Sequence, residues 1–128
     1  MPDYRVDIRD IRFCLNEYLD LNDLCSLPVF QERGFDPEML LDMVEQARKL
    51  SVEKVAPMNE TSDQEGAKYN KETSQVTTPD CFKEAYQLYV QNGWGALPAN
   101  PEYGGMGAPE IINTAAGLIS RWASQENM

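Results

Sequence analysis

Hydrophobic positions recur at helical spacing in four stretches of this chain, and no stretch shows the strict alternation of a half-buried strand. The first predicted helix covers about residues 7–21. Phe13 falls on its polar side, either as an exposed aromatic or as a contact to something outside the domain. Residues 24–35 contain the breakers Pro28 and Gly34 and are predicted to be irregular. The apolar side of the first helix consists of Ile11, Cys14, Leu15, Tyr18, Leu19 and Leu21.

The second predicted helix has the clearest boundary signals. Asp36 is a natural N-cap, Pro37 suits the first helical position, and Pro57 is predicted to end the helix. Leu41 and Val52 lie off the main apolar stripe, which indicates a second packing partner. The stripe itself consists of Met39, Leu40, Met43, Val44, Ala47, Leu50 and Val55.

The polar side of this second helix and the stretch that follows it are predicted to face water. Glu45 and Lys49 lie four residues apart, a spacing that favours a supporting ion pair on a helix surface. Residues 59–78 are polar, contain Gly66 and are poor in large apolar side chains. They predict a long surface loop, with a short hairpin around residues 71–76 as an open alternative.

The third predicted helix follows that polar stretch. Thr77 or Thr78 is predicted to cap it, with Pro79 and Asp80 in the first turn. Gly93 is predicted to be its C-terminal cap. Its wide apolar face consists of Phe82, Ala85, Tyr86, Leu88, Tyr89 and Val90.

The last predicted helix begins near Pro109. Its apolar arc is wider than the roughly 100° of an ordinary surface helix, so we expect it to need packing partners on that face. Together the four patterns predict an all-α fold, an up-down bundle of four main helices with a long polar loop after the second. The arc of the last helix consists of Ile111, Ile112, Ala115, Ala116, Leu118, Ile119 and Trp122.

The connector at residues 93–109 holds five of the eight glycines and three of the eight prolines of the chain. Proline restricts φ and glycine permits left-handed conformations, so this composition predicts a rigid, shaped loop between two packed helices. The glycine spacing fits neither the dinucleotide fingerprint nor the P-loop, and no Lys-Ser/Thr follows it. The loop is therefore not predicted to bind phosphate.

Composition limits the possible functions further. The 128 residues fit one domain, and the net charge of −10 argues against nucleic acid or an anionic membrane as a partner. No stretch is long enough to span a bilayer. The three widely spaced cysteines, with no histidine, argue against a zinc site and against a Cys/His or Ser/His nucleophile pair. Reduced thiols in the cytoplasm are the expectation. The cysteines are Cys14, Cys25 and Cys81.

Several segments, in this order, resemble the N-terminal helical domain of acyl-CoA dehydrogenases. They are TTPDCFKEAY at residues 77–86, GWGALP at residues 93–98 and PEYGGMG at residues 101–107, with VAPMN at residues 55–59 similar to the end of an earlier helix of that domain. Residues 10–17 (DIRFCLNE) are similar to the N-terminal extension of a longer bacterial subgroup, which includes enzymes that act on fatty acyl-CoA and on methylmercaptopropionyl-CoA. The resemblance divides the chain into an extension with one helix at residues 1–35 and an incomplete family domain at residues 36–128.

The resemblance implies part of a flavoenzyme. In the family, FAD accepts a hydride from the β-carbon of an acyl-CoA thioester while a glutamate removes the α-proton. That glutamate and most flavin contacts come from the middle and C-terminal domains, which this sequence lacks. No residue here matches a catalytic, cofactor-binding or metal-binding position of the family. We interpret Glu102, in the PEYGG segment, as a turn carboxylate rather than a base.

Two hypotheses follow. The first is that the chain is the N-terminal domain of such an enzyme, walling one side of the flavin and acyl pocket, with neither FAD binding nor activity on its own. It would then contact the remaining domains, or another subunit, through the apolar face of the last helix. The second is a free-standing helical module derived from that domain and used for protein association, including self-association. The broad face of the last helix and the off-stripe residues Phe13, Leu41 and Val52 motivate the second hypothesis.

Overall fold

The computed structural model describes residues 4–125, with side chains up to residue 121. Most of this range is helical, and the predicted all-α class is confirmed. The elements in chain order are α1 (Arg9–Phe13) with a π-helical turn (Cys14–Tyr18), α2 (Leu21–Cys25), α3 (Pro28–Glu32), α4 (Pro37–Leu50) with a second π-helical turn (Ser51–Val55), α5 (Ala56–Glu65), the strands β1 (Lys68–Asn70) and β2 (Gln75–Thr77), α6 (Cys81–Gln91) and α7 (Glu110–Gln125).

The core is centred on the packing of α4 against α7. The described residues before Asp36 share this core, and the Tyr4 hydroxyl donates a hydrogen bond to the Ile119 carbonyl of α7 at 2.8 Å. Burial of these apolar side chains supplies the main stabilisation of the fold. The buried cluster consists of Leu15, Leu21, Cys25, Leu40, Val44, Leu97, Ala108, Ile112, Ala115 and Ile119.

The first predicted helix is present but ends at Tyr18 rather than near Leu21, which already belongs to α2, and half of its predicted apolar side is exposed. Leu15 and Leu21 are buried, whereas Cys14, Tyr18 and Leu19 are exposed. The cause is the π-helical turn, in which the Leu19 amide donates to the Cys14 carbonyl five residues back at 2.9 Å. A π-turn takes more residues than an α-turn. Side chains after Cys14 therefore lie away from the positions that an α-helical wheel assigns to them.

The prediction that residues 24–35 are irregular is wrong, because most of them lie in the short helices α2 and α3. Asp20 adopts a left-handed conformation and its Oδ1 accepts the Asn22 amide at 3.0 Å, which caps α2. Pro28 opens α3, and Gly34, also left-handed, follows it. Helices of five residues are too short for periodicity to identify.

Pro57 does not end the second helix, contrary to the prediction. The helix passes through the π-helical turn, where the Ala56 amide donates to the Ser51 carbonyl, and continues as α5. Since this turn already departs from α-helical bonding, Pro57 falls in a first turn, where its missing N–H costs little. The surface connector consequently begins at Gly66 rather than at Asn59, which shortens the predicted loop.

The open alternative of a short hairpin in the polar stretch is confirmed. Strands β1 and β2 pair antiparallel, with Tyr69 opposite Val76, and every residue of both strands is exposed. Neither threonine caps the next helix as predicted, because Asp80 occupies the N-cap position of α6. The Asp80 carboxylate accepts from the Lys83 ammonium at 2.6 Å instead of from a backbone amide.

The last helix buries most of its predicted apolar arc in the domain's own core. The buried members are Ile112, Ala115, Ala116 and Ile119. Leu118 is 41% exposed, and Trp122 lies outside the described side chains. The expected need for packing partners on this face is thus met largely within the chain, mainly by α4.

Candidate functional site: the glycine-rich loop and the adjoining groove

Residues 93–109, here called the glycine-rich loop, connect α6 to α7. Gly93 has a φ of +74° directly after α6, so its predicted role in ending that helix is confirmed. Two short 3₁₀ turns, Trp94–Ala96 and Pro101–Tyr103, shape the loop. The predicted restart at Pro109 is also confirmed, since the Ile112 amide donates to the Pro109 carbonyl at 3.0 Å. The loop therefore starts and ends where the glycine and proline pattern indicates.

Backbone hydrogen bonds tie the two halves of the glycine-rich loop together. The Met106 amide donates to the Ala96 carbonyl at 3.1 Å, and the Ala108 amide donates to the Leu97 carbonyl at 3.0 Å. Leu97 is only 2% exposed and anchors the loop in the core. The loop is therefore a bonded part of the fold, as its composition predicts, and not a slack connection.

Gly105 is required by the close approach of the two halves. A Cβ atom at Gly105 would lie 2.0 Å from the Ala99 carbonyl oxygen, which is far below any van der Waals contact. The atom that it would meet belongs to the backbone, so no side-chain rotation can relieve the clash. Any larger residue at this position must displace the loop.

Gly107 joins the loop to the N-terminal part of the chain. Its φ is +67°, and its carbonyl accepts a hydrogen bond from Arg33 Nη1 at 2.8 Å. A Cβ atom there would come within 3.0 Å of both Arg33 Nη1 and Pro101 Cγ. The contact between Arg33 and Gly107 therefore holds the loop against the segment that follows α3.

Glu102 lies on the exposed side of this loop. Its amide donates to the Asn100 Oδ1 at 3.1 Å, which caps the second 3₁₀ turn. The Glu102 side chain is exposed, and it does not line the groove described next. This is the setting of a turn carboxylate.

A groove of about 390 Å³ lies between α4, with its π-helical turn, and the glycine-rich loop. The side chains from α4 and its π-helical turn are both apolar and polar, whereas those from the glycine-rich loop are apolar. The apolar lining consists of Met43, Leu50, Trp94, Leu97 and Met106. The polar lining consists of Asp42, Gln46, Lys49, Glu53 and Asn92.

Two ionisable groups near this region, Glu45 and Cys25, have shifted pKa values. Two hydrogen bonds from Arg48, at 2.6 and 2.8 Å, lower the pKa of Glu45. Arg48 makes the short salt bridge to Glu45, and Lys49, the predicted partner, also lowers the pKa of Glu45 through its charge. Burial, and secondarily the Asp36 carboxylate, raises the pKa of the Cys25 thiol, which disfavours a reactive thiolate. Within the described residues, no group of three or more His, Cys, Asp or Glu could hold a metal ion.

Helix α6 presents apolar side chains on two sides. Cys81, Ala85 and Leu88 are partly buried on the inner side. The other side, here called the outer face of α6, is exposed to solvent. Tyr86 lies at its centre and is 69% exposed. The outer face consists of Phe82, Tyr86, Tyr89 and Val90. An uncovered aromatic face of this kind is a feature of interaction surfaces.

Sequence reasoning did not find the groove or the outer face of α6. The groove forms only where α4 meets the loop, and the lining residues of the two sides that are nearest in the chain, Glu53 and Asn92, are 39 residues apart. The apolar residues of α6 were identified correctly, but periodicity cannot tell which of them a neighbouring element covers. The width of that apolar pattern was the available signal, since a single packing partner covers only one side of a helix.

Among known proteins, no family model matches the chain. Curated proteins do match it. The chain is 30% identical to a 3-methylmercaptopropionyl-CoA dehydrogenase of Ruegeria pomeroyi over 113 residues, or 88% of this chain and 18% of that protein. It is 33% identical to a butyryl-CoA dehydrogenase of Syntrophomonas wolfei over 95 residues, or 72% of this chain and 15% of that protein.

A third relative is the broad-specificity linear acyl-CoA dehydrogenase FadE5 of Mycobacterium tuberculosis, 25% identical over 88% of this chain and 18% of that protein. The chain thus spans less than a fifth of the length of the curated relatives that it matches. All of them are acyl-CoA dehydrogenases, so the similarity supports that family and agrees with the resemblance seen in the sequence. In the part of the chain that the structure describes, no helix is long and apolar enough to cross a membrane.

Proposed function

We propose that this chain is the N-terminal helical domain of a FAD-dependent acyl-CoA dehydrogenase, which oxidises an acyl-CoA thioester between its α and β carbons. One observation carries the proposal: the similarity covers 88% of this chain but only 18% of a dehydrogenase that it matches. A small all-α unit that corresponds to a minor part of a larger enzyme is suited to a supporting role.

In this proposal the domain walls one side of the flavin and acyl pocket, and the other domains supply the catalytic glutamate and most flavin contacts. The division into an extension at residues 1–35 and a family domain at residues 36–128 is part of the same proposal. The 88% coverage is more than residues 36–128 alone would give, so the match reaches into the extension. The extension then supports the glycine-rich loop through the bond from Arg33 to Gly107.

The remaining domains, or another subunit, need a surface on which to pack. The sequence predicts the apolar face of the last helix as this surface, but only Leu118 among its described apolar positions is exposed. The outer face of α6 offers more uncovered apolar area, and we propose it, together with Leu118, as the contact surface. Burying exposed aromatic side chains is a main source of stability in such contacts.

A chimaera tests the proposal directly. The matched segment of the Ruegeria pomeroyi dehydrogenase is replaced by this chain, and bound flavin and acyl-CoA-dependent reduction of an electron acceptor are measured. We expect the chimaera to keep both. A chimaera that folds, by circular dichroism and a cooperative thermal transition, but holds no flavin would contradict the proposal.

The isolated chain provides the complementary measurement. Purified with excess FAD, it is expected to stay colourless and to reduce no acceptor when acyl-CoA is added. A yellow preparation that reduces the acceptor would contradict the proposal that the chain binds no FAD and has no activity on its own.

We also propose a cytoplasmic location. The thiols of Cys14, Cys25 and Cys81 are free, as is usual for cysteines in a reducing compartment.

A second function is favoured by the outer face of α6, namely a free-standing helical module for protein association. Its test is the reading frame of the gene beyond codon 128, together with sedimentation of the isolated chain. A stop codon there and a self-association weakened by Tyr86→Lys would favour the module. A reading frame that continues into further dehydrogenase sequence would exclude it.

A further inference from the structure

The junction between α6 and the glycine-rich loop contains the pair Asn92–Gly93. Of the eight asparagines in the chain, Asn92 is the only one that is followed by glycine. Asn92 is exposed, and Gly93 has no side chain to shield its backbone nitrogen. An asparagine amide next to such a nitrogen is chemically labile, because the two groups can close a five-membered ring. The junction is therefore a candidate site of spontaneous modification.

The reaction at such a pair needs no partner other than water. The Gly93 nitrogen loses its proton and attacks Cγ of Asn92, the new N–Cγ bond forms, and the Cγ–Nδ2 bond breaks with release of ammonia. Water then opens the succinimide ring at either of its two carbonyl carbons. Opening at one carbon gives aspartate. Opening at the other gives isoaspartate, in which Cβ and Cγ lie in the main chain. Each product replaces a neutral amide by a carboxylate.

The folded structure restrains this reaction in two ways. Asn92 has a ψ of 1°, so the Gly93 nitrogen eclipses the Asn92 nitrogen rather than its Cβ, and the ring cannot close until the backbone rotates. The Gly93 amide also donates a hydrogen bond to the Val90 carbonyl at 3.0 Å, which keeps the amide proton in place. The same rotation moves the Gly93 amide away from Val90, so both restraints are lost together when the end of α6 opens.

Contacts with the glycine-rich loop oppose this opening. A Cβ atom at Gly93 would lie 3.6 Å from the Met106 sulfur, so the thioether packs beside the end of the helix. A Cβ atom at Gly95 would likewise lie 3.4 Å from Cε1 of Tyr89, on the last turn of α6. The helix end and the loop therefore hold each other in place at this junction.

We propose that Asn92–Gly93 is a deamidation site that the folded chain protects and that reacts when the C-terminal end of α6 opens. Opening a helix end requires less free energy than global unfolding, so the reaction proceeds without denaturation. The product carboxylate lies at the negative end of the helix dipole, where it weakens α6. Isoaspartate also lengthens the main chain where the loop begins. The modification therefore loosens the attachment of the glycine-rich loop, and this inference is independent of the proposed dehydrogenase function.

The test follows the intact chain in mildly alkaline buffer, folded and in concentrated urea, by peptide mapping with mass spectrometry. In urea we expect aspartate and isoaspartate to accumulate first at Asn92. In the folded chain the rate at Asn92 should be at least about tenfold lower, because the helix end opens only part of the time. Asn100 is the internal control, since Pro101 has no backbone N–H to attack with. Faster reaction of another asparagine in urea, or equal Asn92 rates in the two samples, would overturn the proposal.

Two methionine variants separate local opening from global unfolding. Met106→Ala removes the thioether beside Gly93 and should speed deamidation of Asn92 in the folded chain by about two- to fivefold. Met39→Ala is the matched control, because Met39 is likewise 44% exposed but lies on α4, away from this junction. It should leave the rate unchanged. Equal rates in the two variants would contradict the protection of Asn92 by the loop.

The effect on the glycine-rich loop is measured with Asn92→Gln, in which ring closure would need a less favourable six-membered ring. After the same incubation, hydrogen exchange in the loop should be faster in the unmodified sequence than in this variant. The strands β1 and β2 should exchange at the same rate in both proteins. Equal exchange of the loop amides, in samples where Asn92 has been converted, would refute the loosening of the loop.

Discussion

The two long connectors of this chain, residues 66–80 and the glycine-rich loop at residues 93–109, are held in opposite ways. In the first, here called the hairpin connector, the two strands pair with each other and every strand residue is exposed, with Pro79 buried only at the far end, next to α6. In the second, backbone bonds cross the loop, Leu97 reaches the core and Arg33 binds the Gly107 carbonyl. Surface position alone therefore does not predict mobility, because hydrogen bonds and buried anchors decide it.

The difference between the connectors is largest at their apolar side chains. Leu97→Ala in the glycine-rich loop should destabilise the protein by about 3 kcal/mol, since it leaves a cavity at a buried position. Val76→Ala in the hairpin connector, where Val76 is 61% exposed, should cost less than about 0.5 kcal/mol. Urea denaturation of both variants measures these values. Equal losses of stability in the two variants would contradict the claim that only the glycine-rich loop is anchored in the core.

A slightly smaller effect is expected at Gly105. Gly105→Ala places a Cβ against the Ala99 carbonyl and should cost about 2 kcal/mol, because the loop backbone must move. The matched control is Gly117→Ala in α7, where a Cβ meets open space. That substitution should stabilise the helix by up to about 1 kcal/mol. We expect the denaturation midpoint to fall for Gly105→Ala and to rise for Gly117→Ala. An unchanged midpoint for Gly105→Ala would contradict the close contact between Gly105 and Ala99.

The hydrogen bond from Arg33 to the Gly107 carbonyl links the glycine-rich loop to the N-terminal part of the chain, and its contribution can be measured. Arg33→Met keeps an apolar stem but loses the donor to Gly107, and should cost about 1 kcal/mol, since the arginine is partly exposed to water. Faster hydrogen exchange should be confined to the glycine-rich loop and spare the hairpin connector. Arg9→Met, at an exposed position on α1, is the control. Faster hydrogen exchange spread evenly over the whole chain would contradict a local effect of this hydrogen bond on the loop.

The smallest expected effect concerns pH and lies outside both connectors. Arg48 lowers the pKa of Glu45 in the folded state. The stability from this pair is therefore fully present above the unfolded pKa of the carboxyl group and is lost as pH falls through the folded pKa. Glu45→Gln should cost about 0.5 kcal/mol at pH 7 and nothing in strong acid. Glu60→Gln is the control for urea titrations at the two pH values.

Local signals in the sequence predicted the parts of the fold that depend on local chemistry. Asp36 caps α4 as expected, its Oδ1 accepting the Met39 amide at 2.9 Å. Gly93 and Pro109 likewise delimit the glycine-rich loop where they were placed. Each of these features follows from the conformational preference or hydrogen bonding of one or two residues, so no knowledge of the tertiary structure was needed.

Features that depend on packing were not predictable in this way. The second π-helical turn contains Ser51, which is fully buried and lies 3.1 Å from the Ser120 hydroxyl of α7, a contact between distant parts of the chain. The groove and the outer face of α6 likewise depend on which elements meet. A hydrophobic pattern identifies the residues that can be buried, whereas topology decides which of them are.

The central claim is that the chain fixes the glycine-rich loop as part of its folded core while the hairpin connector stays at the surface. Amide hydrogen exchange measured by NMR on the intact chain tests it in one experiment. The amides of Met106, Gly107 and Ala108 should exchange roughly 100-fold more slowly than those of β1 and β2. Similar exchange rates in the two connectors would contradict the claim.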